Sequence, residues 1–320
     1  MGLDVKVTIN LKKPLGNAGT EFPLIVSTGE TAIEFTECRT LAEVKDKFAT
    51  TTNTYKAAEL IFMQTNAPDK IGVVQFTLAQ GETLKEKLEA IAEKGWRQFM
   101  IVDGDTKAVS MKDKLCFTSV ANESELKNFE DLERIVGFVH TNPLAAAALI
   151  GETAGRPAGS FTYKNLILTG IPPMEISDTK IDAIHTAGGI TFVTKAGDNV
   201  TSEGKTTNGE YIDIVDSGDF IIKNIAYKTQ KLFNNSPKIP YDNTGISMLE
   251  SATVEALRMG YNNGMIATND DGTPAYAASF ALRSQTTDAD RKARKYPYGW
   301  FKFILAGAVH EAEIQGDIIV

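Results

Sequence analysis

The sequence predicts a mixed fold, α/β in its first half and α+β in its second, with an amphipathic β-strand arm at each end. Three observations point there. Between residues 22 and 155, apolar runs of strand length alternate with runs whose apolar residues recur at helical spacing, the order expected of an α/β layer with partly parallel strands. From residue 217 two long amphipathic helices come in succession and strand-like segments follow them. At both ends apolar and polar residues alternate with period two, which gives each end one apolar side.

The opening strand carries Val5, Val7, Ile9 and Leu11 on one side and Lys6, Thr8, Asn10 and Lys12 on the other. Pro14, Gly16 and Gly19 then punctuate "KKPLGNAGTEF" as a soft connector. Strands are expected at "FPLIVST", "KIGVVQFT", "RQFMIVDGD", "KLCFTSV" and "RIVGFVH". Helices are expected at "LAEVKDKFA", "YKAAELIFMQT", "TLKEKLEAIAEKG" and "NPLAAAALIGETAG", the last closed by glycine. "GETAGRPAGS" reads as a linker. The expected organisation is therefore an N-terminal arm and linker over 1–20, an α/β domain over 21–155, an α+β domain over 156–308 and a C-terminal arm over 309–320, with a core sheet that can be discontinuous in sequence.

In the second domain "YKNLILTGI" reads as a strand and "SDTKIDAIHTAGG" as a helix begun by Ser177 or Asp178. "ITFVTKAGDNVTSEGKTTNGEYIDIV" reads as two strands around a polar excursion. Helices over 217–234 and 245–260 place Ile221, Ile225 and Leu232, then Ile246, Leu249 and Leu257, on their apolar sides. "YAASFAL" is a strand, a charged loop follows, and "YGWFKFILAGAVHEAEIQGDIIV" is strand-like to the end.

At 320 residues the chain has length for two domains, and 42% hydrophobic with 23% charged residues is the balance of a chain that folds. A net charge of −8 argues against nucleic acid or an anionic membrane surface as the main partner. The longest apolar stretch, "PLAAAALI", is far short of the roughly 20 residues a membrane span needs. "MGLDVKVTIN" lacks the layout of a secretion signal, so the chain is expected to be made and, at least initially, kept in a cytoplasm. Cys38 and Cys116 have no ligand-like neighbours and read as small core residues.

An enzyme needs a constellation of groups, and the sequence offers none. "GETAGRPAGS" lacks the lysine and preceding strand of a phosphate loop, and "STGETA" at 27–32 lacks the G-x-G-x-x-G form. His140, His185 and His310 share no signature with one another or with cysteine or serine, and read as structural residues. "TNDDGT" has the residue types of a calcium loop without its spacing and reads as a turn. "DRKARKYPYGW" gathers Arg291, Lys292, Arg294 and Lys295; in an acidic chain this is a solvated loop or a contact with an acidic protein. Neither a cofactor nor a metal is expected.

The ends remain to be satisfied. A lone terminal strand leaves backbone donors and acceptors unpaired. It can pair at home, with the other end, or with another molecule by strand addition. A 12-residue arm reaches roughly 40 Å, so donation is easy. Lys6, Lys12 and Lys13 outweigh Asp4 in the first arm, whereas Glu311, Glu313 and Asp317 make the second acidic; unlike ends suit neighbouring places in one sheet. Arms given to different neighbours make a heterologous contact that grows without closing.

Three stretches then narrow the field. "GKTTNGEYIDIVDSGDFI", "LFNNSPKIPYDNTGISMLE" and "DADRKARKYPYGWFKFILAGAVHEAEIQGDIIV" resemble the compact sheath proteins of contractile bacteriophage tails and phage-tail-like bacteriocins, as does the N-terminal order of "LDVKVTINL", "FPLIVST" and "RTLAEVKDKFATTTNTYKAAELIFMQTNAPDKIGVVQF". The resemblance covers most of the chain and is weakest over 80–160.

It implies a structural subunit, not an enzyme, in a helical tube of its own copies around an inner tail tube protein, ending at baseplate and tail terminator proteins, in a virion tail or tailocin assembled in the bacterial cytoplasm. Carried over, Val5, Val7, Ile9 and Leu11 are the buried side of one exchanged arm; Ala312, Ile314, Ile318 and Val320 are that of the other. Pro14, Gly16, Gly19 and Gly307 become the arm hinges, and Lys292, Arg294 and Lys295 the candidate tube contact. The rival readings are another tail or shell protein, which would be mainly β, and a nucleotide-binding α/β enzyme, which would need a glycine-rich strand-to-helix turn.

Overall fold

The computed structural model describes residues 21–104 and 106–310. The N-terminal arm and residues 311–320 of the C-terminal arm, including Val5, Val7, Ile9, Leu11, Ala312, Ile314, Ile318 and Val320, lie outside the described residues, as do Pro14, Gly16 and Gly19.

An eight-stranded sheet organises the first two thirds. Its strands are β1 (Phe22–Thr28), β2 (Ile33–Cys38), β3 (Ile71–Phe76), β4 (Trp96–Ile101), β5 (Leu115–Val120), β6 (Ile135–Val139), β7 (Gly189–Lys195) and β8 (Asp198–Thr201), in the order β2-β3-β1-β4-β5-β6-β7-β8. The strands from β3 to β7 run parallel, and β2 and β8 join antiparallel at the edges. "FPLIVS" is buried along its whole length because helices cover both sides of a parallel sheet. Ile25 packs with Phe117, Phe138 and Ile190 under α2 (Asn53–Phe62) and α4 (Ala145–Ala154). Leu24 and Val26 pack on the opposite side with Trp96, Phe99 and Leu88 under α3 (Leu84–Ala90), and Ile184 of α5 (Asp178–Thr186) joins them.

The helices start where their sequences say. Thr52, Thr83 and Ser177 each accept a backbone N–H from the first turn, and Thr83 with Glu86 completes a reciprocal capping box. The short α1 (Leu41–Lys45) is capped by Thr40 in the same way. Several expectations change. "IEFTEC", unassigned in the sequence, forms β2. Residues 163–171 form no strand: Asn165 has φ 63°, which breaks the run after two backbone bonds to Thr201. Residues 211–215 do not end a strand but open a helix at Ile212. "GETAGRPAGS" is half helix: Gly151 to Ala154 complete α4, and Glu152 is buried against Asn66.

The close approach of α4 to α2 also requires glycine at position 151. A Cβ at Gly151 would stand 2.5 Å from the carbonyl oxygen of Ile61, backbone against backbone between α4 and α2. Gly151→Ala is therefore expected to cost about 1–3 kcal/mol in chemical denaturation. Gly218→Ala should do the reverse, since a Cβ there meets nothing within 4 Å in the middle of a helix; it should gain roughly 0.5–1 kcal/mol.

A second packing centre lies beyond the sheet. α6 (Ile212–Asn235) and α7 (Asn243–Asn262) bring together Ile221, Ile225, Ala256 and Leu257, with Met265, Ile266 and Ala275. The sheet draws β7 and β8 from beyond residue 155, so it is built across the boundary expected there, and the change from one core to the other falls within α6.

Candidate functional site

The small sheet at the far end of the chain has open edges. β9 (Tyr276–Phe280) and β10 (Gly299–Phe303) pair antiparallel with each other, and no third strand joins them among the described residues. Two strands alone are marginal in water. Here one face is supported, because Tyr276, Ala278, Phe301 and Phe303 pack on the α6–α7 core. The outer face carries Trp300, 51% exposed, beside Lys302 and Ser279. Ile304 and Val309, 62% and 87% exposed, continue the apolar display towards the C-terminal arm. Unpaired edges next to exposed apolar side chains are the features that receive an added strand.

The expected charged loop between these strands contains a helix. α8 (Asp288–Ala293) is capped by Thr287, and Arg294 ends it in the left-handed region at φ 54°. Behind it Tyr241, Phe280, Tyr296 and Tyr298 form an aromatic cluster, with Tyr296 stacked on Phe280 at 6.1 Å. The Tyr296 hydroxyl donates to Ala281 O at 2.7 Å, and burial pushes its pKa up to about 12. The turn is thus held in place. Lys292, Arg294 and Lys295 all point into solvent, and among the described residues none of them is paired with a carboxylate, whereas Arg291 is tied to Asp288.

Both arm roots are anchored to the body. At the first, the Glu21 carboxylate meets Lys223 of α6, and Phe22 is buried with the Lys70 ammonium over its ring at 4.4 Å. At the second, His310 Nδ1 lies 3.0 Å from Glu203 Oε1 and Nε2 lies 2.9 Å from Thr162 Oγ1. A carboxylate only accepts, so Nδ1 carries the proton. Lys164 Nζ donates to His310 O at 3.1 Å, and Tyr211 stands edge-on to the ring at 4.8 Å. Burial works against the Glu203 charge, but the Gly204 N–H, Lys164 and His310 hold its carboxyl below the usual range. Gly307 lies exposed between this anchor and the Ala306 N–H bond to Met265 O; a Cβ there would meet nothing.

Between the two roots runs a buried charge network. Asp216 bonds Arg97 and accepts the Tyr163 hydroxyl at 2.6 Å; Asp219 receives Arg97 at 3.1 Å and Arg134 at 2.5 and 2.9 Å. Burial opposes the Arg97 cation, yet Asp216, Asp219 and Glu21 keep it firmly charged. Burial pushes the Asp216 carboxyl up against the pull of Arg97.

The features of a catalytic centre are otherwise engaged. "STGETA" joins β1 to β2 and enters no helix. At the carboxyl end of β1, where an open α/β sheet binds nucleotides, Gly29 N–H bonds Phe76 O at 3.0 Å, and Asn53 bonds Asp103 at 2.7 Å. His140 and His185 bond Pro172 O and Ser202, and both cysteines are buried and unpaired. "TNDDGT" closes as a turn in which Asp271 accepts from Thr273. Among the described residues no helix is long and apolar enough to cross a membrane.

Sequence reading missed the partners of His310 and Glu21. A signal was present for the network: Asp213, Asp216 and Asp219 recur every third residue.

No sequence-family model matches the chain, and comparison with curated protein sequences finds no relative. Solved structures do match. The subunit in the contracted helical sheath of the anti-feeding prophage has a TM-score of 0.73 at 13% identity, covering 99% of this chain and 98% of that one. A subunit of the contracted sheath complex of the extracellular contractile injection system PVC gives 0.72 at 9% identity, covering 99% and 97%. A sheath tail protein of Listeria innocua gives 0.56 at 10%, covering 90% and 96%. The fold is that of contractile sheath proteins.

Proposed function

We propose that this chain is the structural subunit of a contractile tail sheath, polymerising helically around an inner tube and carrying no enzymatic activity. One observation carries the reading: the fold matches a sheath subunit from end to end, 99% of this chain on 98% of that one. The open β9–β10 sheet supports it, because its edges offer places for the basic arm of one neighbour and the acidic arm of another.

In this reading Val5, Val7, Ile9 and Leu11, and Ala312, Ile314, Ile318 and Val320, are buried on a neighbour's small sheet. The arms stay paired while the bodies pass from a kinetically trapped arrangement to one with more buried surface. Contraction then draws on new contacts between bodies, not on nucleotide hydrolysis. Pro14, Gly16 and Gly19 absorb the motion on the N-terminal side. The same reading assigns baseplate and terminator proteins to the ends of the tube and places the chain in a virion tail or tailocin particle. Electron microscopy of the purified protein mixed with its tube protein tests the reading. Helical tubes are expected; dispersed single subunits under all conditions would remove it.

Lys292, Arg294 and Lys295 are assigned to the tube, presented by the rigid turn around α8. Reversing all three charges should leave the melting temperature unchanged, since the groups are exposed and unpaired. It should slow tube-guided assembly at low salt, and the difference should vanish near 1 M salt, where screening acts within about 3 Å. Equal assembly at low salt would send the tube contact elsewhere.

A further inference from the structure

The side of α6 that faces the sheet carries Asp213, Asp216, Asp219 and Lys223, three or four residues apart and therefore along one side of the helix. Their partners lie in several parts of the structure described above. Lys223 holds Glu21 at the N-terminal root. Asp216 and Asp219 hold Arg97 of β4 and Arg134 at the start of β6. Tyr211, which caps α6 two positions before Asp213, packs edge-on against the His310 ring at the C-terminal root. One Asp213 oxygen has no hydrogen-bond partner among the described residues. From Asp213 to Lys223 is about 15 Å along the axis.

We propose that α6 is a strut that fixes both arm roots at a set separation, sharing with β1 the load that a pull on either arm puts on the body. Arg134 supports this role: its backbone is held at φ 65°, a strained position for arginine, and its guanidinium meets Asp219 with both terminal nitrogens. The arms then pivot outside Glu21 and His310. Lys223, Glu203 and His310 act as positioning residues.

The proposal rests on the sheath reading for its purpose, but its mechanical content belongs to a single subunit. Optical-tweezers pulling of the full chain by its two ends tests it. In the wild type both roots should hold until the body ruptures in one step. Lys223→Met, and separately His310→Ala or Glu203→Gln, should each add an early extension step at less than about half the rupture force, with unchanged circular dichroism. Two root-specific variants at the second site guard against a substitution that simply misfolds. Variants that pull like the wild type, or a wild type that already shows the early step, would overturn the strut. A protein that passes this test yet forms no tubes with its tube protein would keep the strut and lose the sheath.

Discussion

Removing residues 1–12 is expected to leave a folded subunit that forms no tubes. The three apolar clusters of the described body begin at Phe22, and Glu21 with its Lys223 partner survives the truncation. Circular dichroism and melting temperature should therefore change little. If the proposed strand exchange holds, assembly should fail, because each arm would bring four apolar side chains, worth roughly 1.5–3 kcal/mol apiece when fully buried, to the β9–β10 sheet of another copy. Ordering twelve residues, at about 1–2 kcal/mol of backbone each, costs more than those side chains return. Pairing is favourable only where the backbone groups of arm and open edge are satisfied together, which is the reason for an all-or-none loss. Negative-stain microscopy and sedimentation read the result. Tubes of normal length and number from the truncated protein would show that the arm is dispensable, and strand exchange at this sheet would be abandoned.

Much of the body was legible because its local and global signals agree. The run "FPLIV" is apolar throughout and lies covered on both faces; Ser177 or Asp178 was expected to begin a helix, and Ser177 caps one that starts at Asp178. The failures have physical causes. "YKNLILTGI" has the alternation of a strand, and Leu166, Leu168 and Ile171 are indeed buried, but the left-handed backbone at Asn165 turns the run away from a ladder. "YIDIV" is too short to separate period two from period 3.6; the aspartates at 213, 216 and 219 decide for a helix only when read as one series. The edge strand β2 mixes acidic, polar and apolar residues without strict alternation, its Glu37 paired to Lys70, so its period-two signal is weak. The anchor at His310 could not be read at all, because Glu203 and Thr162 lie 107 and 148 residues away.

Replacing Arg97 by methionine should be the most damaging single change in the body. The Arg97 and Asp216 side chains are each 13% exposed, and Asp216 sits between the guanidinium and the Tyr163 hydroxyl. Removing the cation leaves a buried carboxylate with one neutral donor, a situation that costs about 3–5 kcal/mol when a buried pair is broken. Asp219 keeps Arg134, which limits the loss to the Asp216 half of the network. The pH dependence separates this from a mere cavity. Burial already raises the Asp216 carboxyl above its unfolded value and Arg97 pulls it down, so the variant raises it further. A carboxyl whose folded value is raised binds its proton more readily in the folded state, and stability rises as pH falls through that value. The deficit of Arg97→Met should thus be largest at neutral pH and shrink on acidification as Asp216 becomes neutral. Asp216→Asn in the same background should recover part of the loss at neutral pH while keeping an acceptor for Tyr163, and should remove the pH dependence. Urea denaturation at several pH values measures all three proteins. A deficit independent of pH would mean that the lost packing of the arginine stem, not the stranded charge, sets the cost.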